Sequence, residues 1–188
     1  MCGCTNTANH DEFSNIQKRL FELKSYKCTA EIKIYNNKNT THYIVNQYYV
    51  FPAKFRVEIR SPEILKGLVT ISNGKDTVVS NPSDSISKPY RYENLSNLCG
   101  DSTILTEFFG NYVKSEKSSM TIEGGKYKLT TKIPSGNGYM DTETLTVNVL
   151  GKPEKLEIYD RKGISKLDLT YKDFQMNPKL EEKIFDLH

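Results

Sequence analysis

Residues 26–34 read Tyr-Lys-Cys-Thr-Ala-Glu-Ile-Lys-Ile, with a hydrophobic side chain at every even-numbered position and a polar one at every odd-numbered position. This alternation places the two sets on opposite faces of a β-strand, so one face of the predicted strand is buried. Residues 36–39, Asn-Asn-Lys-Asn, have the composition of a turn, and residues 41–51 return as a second strand that ends at Pro52. The stretch therefore predicts a long antiparallel hairpin.

The two-residue period continues beyond this hairpin. Phe55, Val57 and Ile59 alternate with charged residues, and an Asn73-Gly74 turn separates two further short strands. Residues 81–97, rich in serine and interrupted by prolines, are predicted to form a loop. About ten antiparallel strands are predicted in all, and the later ones lie around residues 120–122, 127–133, 145–149, 156–158 and 167–171.

Residues 11–24 and 101–115 change to the 3.6-residue period of an amphipathic helix. Their apolar stripes contain Phe13, Ile16, Leu20 and Leu23 in the first helix and Ile104, Leu105, Phe108, Phe109, Tyr112 and Val113 in the second. A curved sheet that wraps both helices buries these stripes together with its own apolar face. The predicted fold class is mainly β (α+β): an open, strongly curved antiparallel half-barrel with helices against its concave face. The segment Pro178–Leu187 is expected to plug one end of the sheet.

The composition limits the function classes. The chain has 188 residues and a formal net charge of only +3, which argues against a polyanion-binding arm. Hydrophobic residues make up 37% of it, below the roughly 45–50% of ordinary domains, so much of the apolar sequence must lie on one-sided elements. No apolar run approaches the roughly 18 residues that a membrane-spanning helix needs. One domain over residues 11–188 is predicted.

The N-terminus predicts a lipid anchor. Cys2 and Cys4 stand before a short polar stretch without a hydrophobic residue to pack, so residues 1–10 are interpreted as a lipoprotein tether. Cys2 is the favoured attachment site and Cys4 the alternative, because an acylated Cys4 would have a cysteine where lipoprotein processing reads a small residue. The pair could instead be incidental thiols or share a metal site with Cys28 and Cys99, but paired zinc-ligand spacing is missing. Cys28 is expected to be a buried hydrophobe, and no obligatory disulfide is expected.

No motif indicates catalysis. The three histidines, His10, His42 and His188, do not stand beside a Ser or Cys nucleophile motif, and no phosphate-binding loop or metalloprotease motif is present. No catalytic residue, metal site or cofactor is therefore predicted. The acidic pairs and basic clusters are interpreted as surface charge, and the tyrosines as candidates for a protein interface. These residues are Asp141 and Glu143, Glu154 and Glu157, Lys54, Arg56 and Arg60, Lys126, Lys128 and Lys132, and Tyr43, Tyr48, Tyr49, Tyr90 and Tyr92.

Three segments carry a resemblance to a known superfamily. Residues 49–59, Tyr-Val-Phe-Pro-Ala-Lys-Phe-Arg-Val-Glu-Ile, are followed by Pro62 and by residues 71–76, Ile-Ser-Asn-Gly-Lys-Asp. Together with residues 174–180, Phe-Gln-Met-Asn-Pro-Lys-Leu, they resemble the core of the LolA/LolB-like lipoprotein carriers. Within that superfamily the N-terminal cysteine and the Tyr- and Lys-rich sequence look most like the GerS-type clostridial spore-germination lipoproteins.

This resemblance implies a function for the chain. It implies a non-enzymatic, membrane-anchored lipoprotein that binds and licenses a spore-cortex N-acetylmuramoyl-L-alanine amidase, in the intermembrane space of the developing spore. The alternative is a carrier or receptor for lipids or lipoprotein acyl chains, which needs an apolar cavity. Because an open sheet leaves edge strands with unpaired backbone groups, a homodimer formed by edge pairing or strand exchange is also expected.

Overall fold

The computed structural model describes residues 7–81, 88–93, 104–134 and 138–187, and side chains from residue 11 onward. It contains helices α1 and α2 and strands β1 to β11. The helices and strands are α1 Thr7–Phe21, β1 Ser25–Tyr35, β2 Thr40–Val50, β3 Lys54–Ser61, β4 Val69–Asn73, β5 Thr77–Ser80, β6 Tyr90–Tyr92, α2 Ile104–Lys114, β7 Ser119–Glu123, β8 Lys126–Lys132, β9 Thr142–Val147, β10 Pro153–Tyr159 and β11 Ser165–Met176.

The strands form one open, curved sheet in the order β6-β5-β4-β3-β2-β1-β11-β10-β9-β8-β7. Every neighbouring pair is antiparallel, and β1 stands in the middle because it pairs with both β2 and β11. The sheet is therefore two meanders joined where the first and last strands meet. Since α2 lies between β6 and β7 in the chain, it connects the two edges.

The predicted half-barrel is confirmed, with eleven described strands rather than about ten. The additional strand is β6, which lies within the segment predicted to be a loop. Tyr90 and Tyr92 pair with Val79 and Thr77 of β5, so the tyrosine backbone extends the sheet by one short edge strand. The composition of a loop does not reveal such pairing, because it depends on a neighbouring strand.

Helix α1 begins at Thr7 and ends at Phe21, earlier at both ends than the predicted 11–24. Its C-terminal end is fixed by Asn177, whose Oδ1 accepts hydrogen bonds from the backbone N–H groups of Lys24 at 2.7 Å and Ser25 at 3.2 Å. These donors start β1 instead of extending the helix. The end of α1 is thus set by a residue about 150 positions away in the chain, which a local pattern cannot show.

The main core lies between the concave face of the sheet and the two helices. The even-numbered residues of β1 face it as the alternation predicts, and Ala30 and Ile32 have no exposed surface. Both predicted helical stripes pack there, with Phe13 and Ile104 partly buried, except that Val113 is 66% exposed and lies outside the core. Its principal members are Ile16, Leu20, Tyr26, Val45, Tyr49, Phe55, Leu105, Phe108, Phe109, Tyr112, Leu129, Leu145, Leu156, Leu169 and Phe174.

The C-terminal segment was predicted to plug one end of the sheet, and this prediction is wrong. The segment packs on the convex face of the sheet instead. Phe185 is 3% exposed and forms a second apolar cluster with Val69 and Ile71 of β4. Ile71 pairs with Arg56, whereas the core residue Phe55 pairs with Ser72, so this cluster lies on the opposite side from the main core. The apolar side chains of the segment find a partner there because both apolar residues of β4, Val69 and Ile71, lie on the convex face.

Candidate functional site

An apolar cleft lies where the C-terminal end of α1 meets α2 and the end of β2. Its volume is about 500 Å³. Phe21 on α1 is 47% exposed, which is high for a phenylalanine, and its ring contacts Phe109 of α2 edge-on at 6.3 Å between centroids. Phe51 closes the other side at 6.4 Å from Phe109. The cleft is lined by Leu20, Phe21, Leu23, Lys24, Val50, Phe51 and Phe109.

This cleft suits an apolar group. Three aromatic rings and aliphatic side chains form the wall, and Lys24 supplies a positive charge at the rim. Such a cleft can accept an apolar side chain of a protein partner or part of an acyl chain. The sequence analysis did not identify this cleft. The available signal was Phe21, an aromatic residue outside the predicted apolar stripe of its helix.

The second notable feature is a carboxyl buried beneath α2. Glu143 of β9 is 2% exposed, and its Oε1 accepts a hydrogen bond from Asn111 Nδ2 of α2 at 2.8 Å. Burial raises the pKa of Glu143 to about 7, and the negative charge of Glu107 adds to that rise, while the hydrogen bond from Asn111 opposes it. At neutral pH this carboxyl is therefore divided between its protonated and ionised forms.

The position of Glu143 corrects the interpretation of Asp141 and Glu143 as a surface pair. Glu143 shares the concave face with Leu145 and Val147, as the alternation along β9 requires. Asp141 instead pairs with Lys132 and lies 3.9 Å from Arg161 Nε, and these cations lower its pKa. The two carboxyls therefore have different surroundings, and a shared acid–base role has no geometric support.

The other charged residues confirm the surface interpretation. Lys126 pairs with Glu154 at 2.6 Å, and Lys128 pairs with Glu123. On the convex face Glu157 and Asp168 stand opposite each other on β10 and β11, where two like charges repel. Lys155 lies between them, 2.5 Å from Glu157 and 3.3 Å from Asp168, and offsets that repulsion. The other basic cluster also forms surface ion pairs. Lys54 pairs with Glu182, and both Arg56 and Arg60 pair with Glu58.

The five tyrosines considered as interface candidates separate into two groups. Tyr49 is a core residue, 2% exposed, and Tyr43 and Tyr48 are partly buried against the two apolar clusters. Tyr90 and Tyr92 of the edge strand β6 are 71% and 40% exposed. Only the β6 pair therefore presents aromatic surface to a partner.

Of the four cysteines, the structure describes Cys28. Cys28 is buried and free, as predicted, and burial raises its pKa far above the ordinary thiol value. Cys2, Cys4 and Cys99 lie outside the described residues. Within the described ranges no group of three His, Cys, Asp or Glu side chains is arranged to hold a metal ion. Neither α1 nor α2 has the length and apolarity of a membrane-spanning helix.

Comparison with known proteins adds a family to this geometry. The model of the YdcC-like sporulation protein family matches residues 1–185. The chain belongs to this sporulation family. No curated protein sequence matches the chain.

Solved structures extend the comparison. In the structure of the CwlD amidase from Clostridioides difficile in complex with the GerS lipoprotein, the similar chain is GerS. It is 28% identical, with a TM-score of 0.54, over 93% of this chain and 99% of that one. An uncharacterised conserved protein from Thermus thermophilus is 14% identical with a TM-score of 0.56, over 97% and 95% of the two chains. The LolA superfamily protein NE2245 from Nitrosomonas europaea is 17% identical with a TM-score of 0.48, over 95% and 97%. The resemblance to GerS-type lipoproteins is confirmed.

Proposed function

We propose that this sporulation protein is a non-enzymatic, membrane-anchored lipoprotein that binds and licenses a spore-cortex N-acetylmuramoyl-L-alanine amidase. The observation that carries the proposal is the 28% identity to GerS, which spans 93% of this chain and 99% of that one. The similar protein is in complex with an amidase. Because the likeness extends over the whole domain, it supports an amidase-binding role for this chain as well.

The packing of the domain supports a binding role. Phe108 and Leu105 of α2 fill the middle of the concave face, with 0% and 1% of their surfaces exposed. The most exposed aromatic side chain among the described residues lies instead at the β6 edge, where Tyr90 is 71% exposed. Tyrosine at an interface buries a large ring and keeps a polar hydroxyl, so we expect this edge to contact the amidase.

Co-purification of the full chain with its cognate cortex amidase tests the proposal. Size-exclusion chromatography with light scattering is expected to show a stable complex. Tyr90→Ser is expected to weaken it at least tenfold, whereas the control Ile64→Ser, at a residue 90% exposed on the turn after β3, leaves it unchanged. Absence of any complex with the unmodified chain contradicts the proposal. If both variants bind the amidase as well as the unmodified chain does, the β6 contact is contradicted but the binding role is not.

The lipid anchor and the location are part of the same proposal. Acylation at Cys2 holds the domain on the outer side of a membrane, in the space between the two membranes of the developing spore. The tether is the part of the predicted 1–10 segment that precedes α1, because the helix begins at Thr7. Two acyl chains give a firm anchor, since burial contributes about 0.8 kcal/mol per methylene. Expression of the complete gene with Cys2→Ala is expected to move the protein to the soluble fraction, whereas Cys4→Ala keeps it on membranes. The opposite pattern identifies Cys4 as the acceptor.

A homodimer is proposed as the assembled form. The edge strand β7, at the opposite edge of the sheet from β6, carries backbone groups that can pair with a second copy, by direct pairing or by exchange of a strand. Such a dimer would present two equivalent amidase-binding surfaces. Light scattering of the isolated chain is expected to give twice the monomer mass, and a strict monomer at micromolar concentration contradicts the dimer alone.

The apolar cleft favours a second candidate function, the carriage of lipids or acyl chains. Its volume of about 500 Å³ accommodates part of an acyl chain. Binding of a fluorescent fatty acid, reduced by Phe21→Ser but not by Val113→Ser on α2, would favour this function. Fatty-acid binding that is absent, with amidase binding intact, would leave only the first proposal.

A further inference from the structure

Glu143 belongs to a polar seam between α2 and the sheet that neither proposed function uses. Asn111 of α2 donates to the Glu143 carboxyl, and Thr131 of β8 donates to the Asn111 carbonyl at 3.5 Å. Ser118, just after α2, donates to the Tyr112 carbonyl at 2.7 Å. The Asn111–Glu143 hydrogen bond joins a carboxyl of the sheet to α2.

Within the described part of the chain, no cation balances the charge of this carboxyl. No Lys, Arg or His forms an ion pair with Glu143 among the described residues. The titratable groups that face it are Glu107 from α2, which is negative, and Tyr171 from β11, which is neutral at physiological pH. Its partners on β8 and β10, Thr131 and Ile158, carry no charge. An ionised carboxylate in this place therefore loses its hydration without a compensating ion pair.

The neighbouring hydroxyl of Tyr171 increases this effect. It is buried and has no hydrogen-bond partner among the described residues. Among the described residues, the Glu143 side chain accepts a hydrogen bond from the Asn111 amide. Separation of α2 from the sheet would admit water to the carboxylate and the hydroxyl together, and would remove both penalties.

We propose that α2 is a proton-controlled cover of the apolar hollow: the helix is docked when Glu143 is protonated, and ionisation of that carboxyl favours release of the helix. The proton passes to solvent and the carboxylate becomes hydrated. Release exposes apolar side chains of the concave face, because α2 packs on β8 and its Phe108 belongs to the same buried cluster as Leu129 and Leu145. It also removes Phe109 from the apolar cleft, so the cleft opens into the hollow. The device is independent of whether the occupant is a lipid or a protein.

Hydrogen–deuterium exchange of the α2 amides in the full chain tests this cover. Protection factors, corrected for the intrinsic pH dependence of exchange, are compared at pH 6 and pH 8. With a docked pKa of about 7 and an ordinary value of 4.5 after release, linkage predicts a fall of about tenfold in α2 protection between these pH values. The central strands β1 and β11 report global unfolding in the same experiment. Because global unfolding also exposes Glu143, these strands are expected to fall by a similar factor but to keep higher protection factors than α2 at both pH values.

Three variants decide the outcome. Glu143→Gln is expected to keep α2 protection within about twofold between pH 6 and pH 8, whereas the control Glu107→Gln, at an exposed position of α2, retains most of the fall. Asn111→Ala keeps the Glu143 carboxyl but removes the donor that favours the ionised form of that carboxyl. The fall in α2 protection between pH 6 and pH 8 is therefore expected to be larger in this variant than in the unmodified chain. Equal pH dependence in the unmodified chain and Glu143→Gln overturns the proposal. Equal protection factors in α2 and in β1 at both pH values also overturn it, because that result indicates that the helix opens only by global unfolding.

Discussion

A carboxyl that is 2% exposed, with no cation beside it among the described residues, makes Glu143 a source of pH-dependent stability. The pKa of Glu143 is about 7 in the folded chain against an ordinary 4.5, so the folded state binds the proton more tightly than the unfolded state does. The contribution of Glu143 to the free energy of unfolding is therefore greatest at low pH. This contribution is lost as the pH rises from about 4.5 through 7.

Glu143→Gln is expected to remove this loss. The free energy of unfolding of the unmodified chain should fall by about 2 kcal/mol more than that of the variant between pH 5 and pH 8. Urea unfolding at both pH values measures the difference. A variant that is less stable than the unmodified chain at pH 8 would show that the ionised carboxyl has a partner and is stabilising.

Asn177 is the second residue with a large expected effect. Its φ of 52° lies in the left-handed region, and its side-chain oxygen holds two backbone N–H groups at the start of β1. Asn177→Ala is expected to cost about 2–3 kcal/mol, from two lost hydrogen bonds and an unfavourable backbone conformation. Asn177→Asp keeps the acceptor and serves as the matched control. If thermal unfolding shows equal losses for both, the acceptor is not what stabilises this junction.

At the scale of elements, α2 is held mainly by apolar burial. Phe108 has no exposed surface and belongs to the same apolar cluster as Leu129 of β8 and Leu145 of β9. Phe108→Ala is expected to lower the free energy of unfolding by about 3–5 kcal/mol. Val113→Ala, on the same helix but 66% exposed, should change it by less than about 0.5 kcal/mol. Comparable losses in the two variants would contradict the docking of α2 described above.

The elements also show which predictions a sequence pattern supports. The hairpin of β1 and β2 was predicted closely because its alternation, turn and stop are all local. The end of α1 was misplaced because Asn177 fixes it from the far end of the chain. Likewise, the C-terminal segment packs on the convex face because β4 buries Ile71 there. Amphipathic character showed that this segment has a buried face but not which surface covers it.

The candidate site was harder to predict than the fold. The absence of a catalytic motif and the resemblance to GerS were evident in the sequence, but the cleft at Phe21 arises only when α1, α2 and β2 meet. Glu143 was predictable in part, since it stands in register with Leu145 and Val147 on one face of β9. Its burial beneath α2 depends on a helix about thirty residues earlier in the chain, and no local pattern reports that contact.

For the whole molecule, the central claim is that the domain acts by binding an amidase and not by catalysis of its own. Its direct test is the rate at which the purified cognate cortex amidase cleaves cortex peptidoglycan, measured as released peptide, with and without an equimolar amount of the full chain. We expect the chain alone to release nothing and to raise the amidase rate at least tenfold, with the increase lost in proportion to binding in Tyr90→Ser. An amidase rate that the chain leaves unchanged while the two proteins are mixed at micromolar concentration would contradict the licensing role.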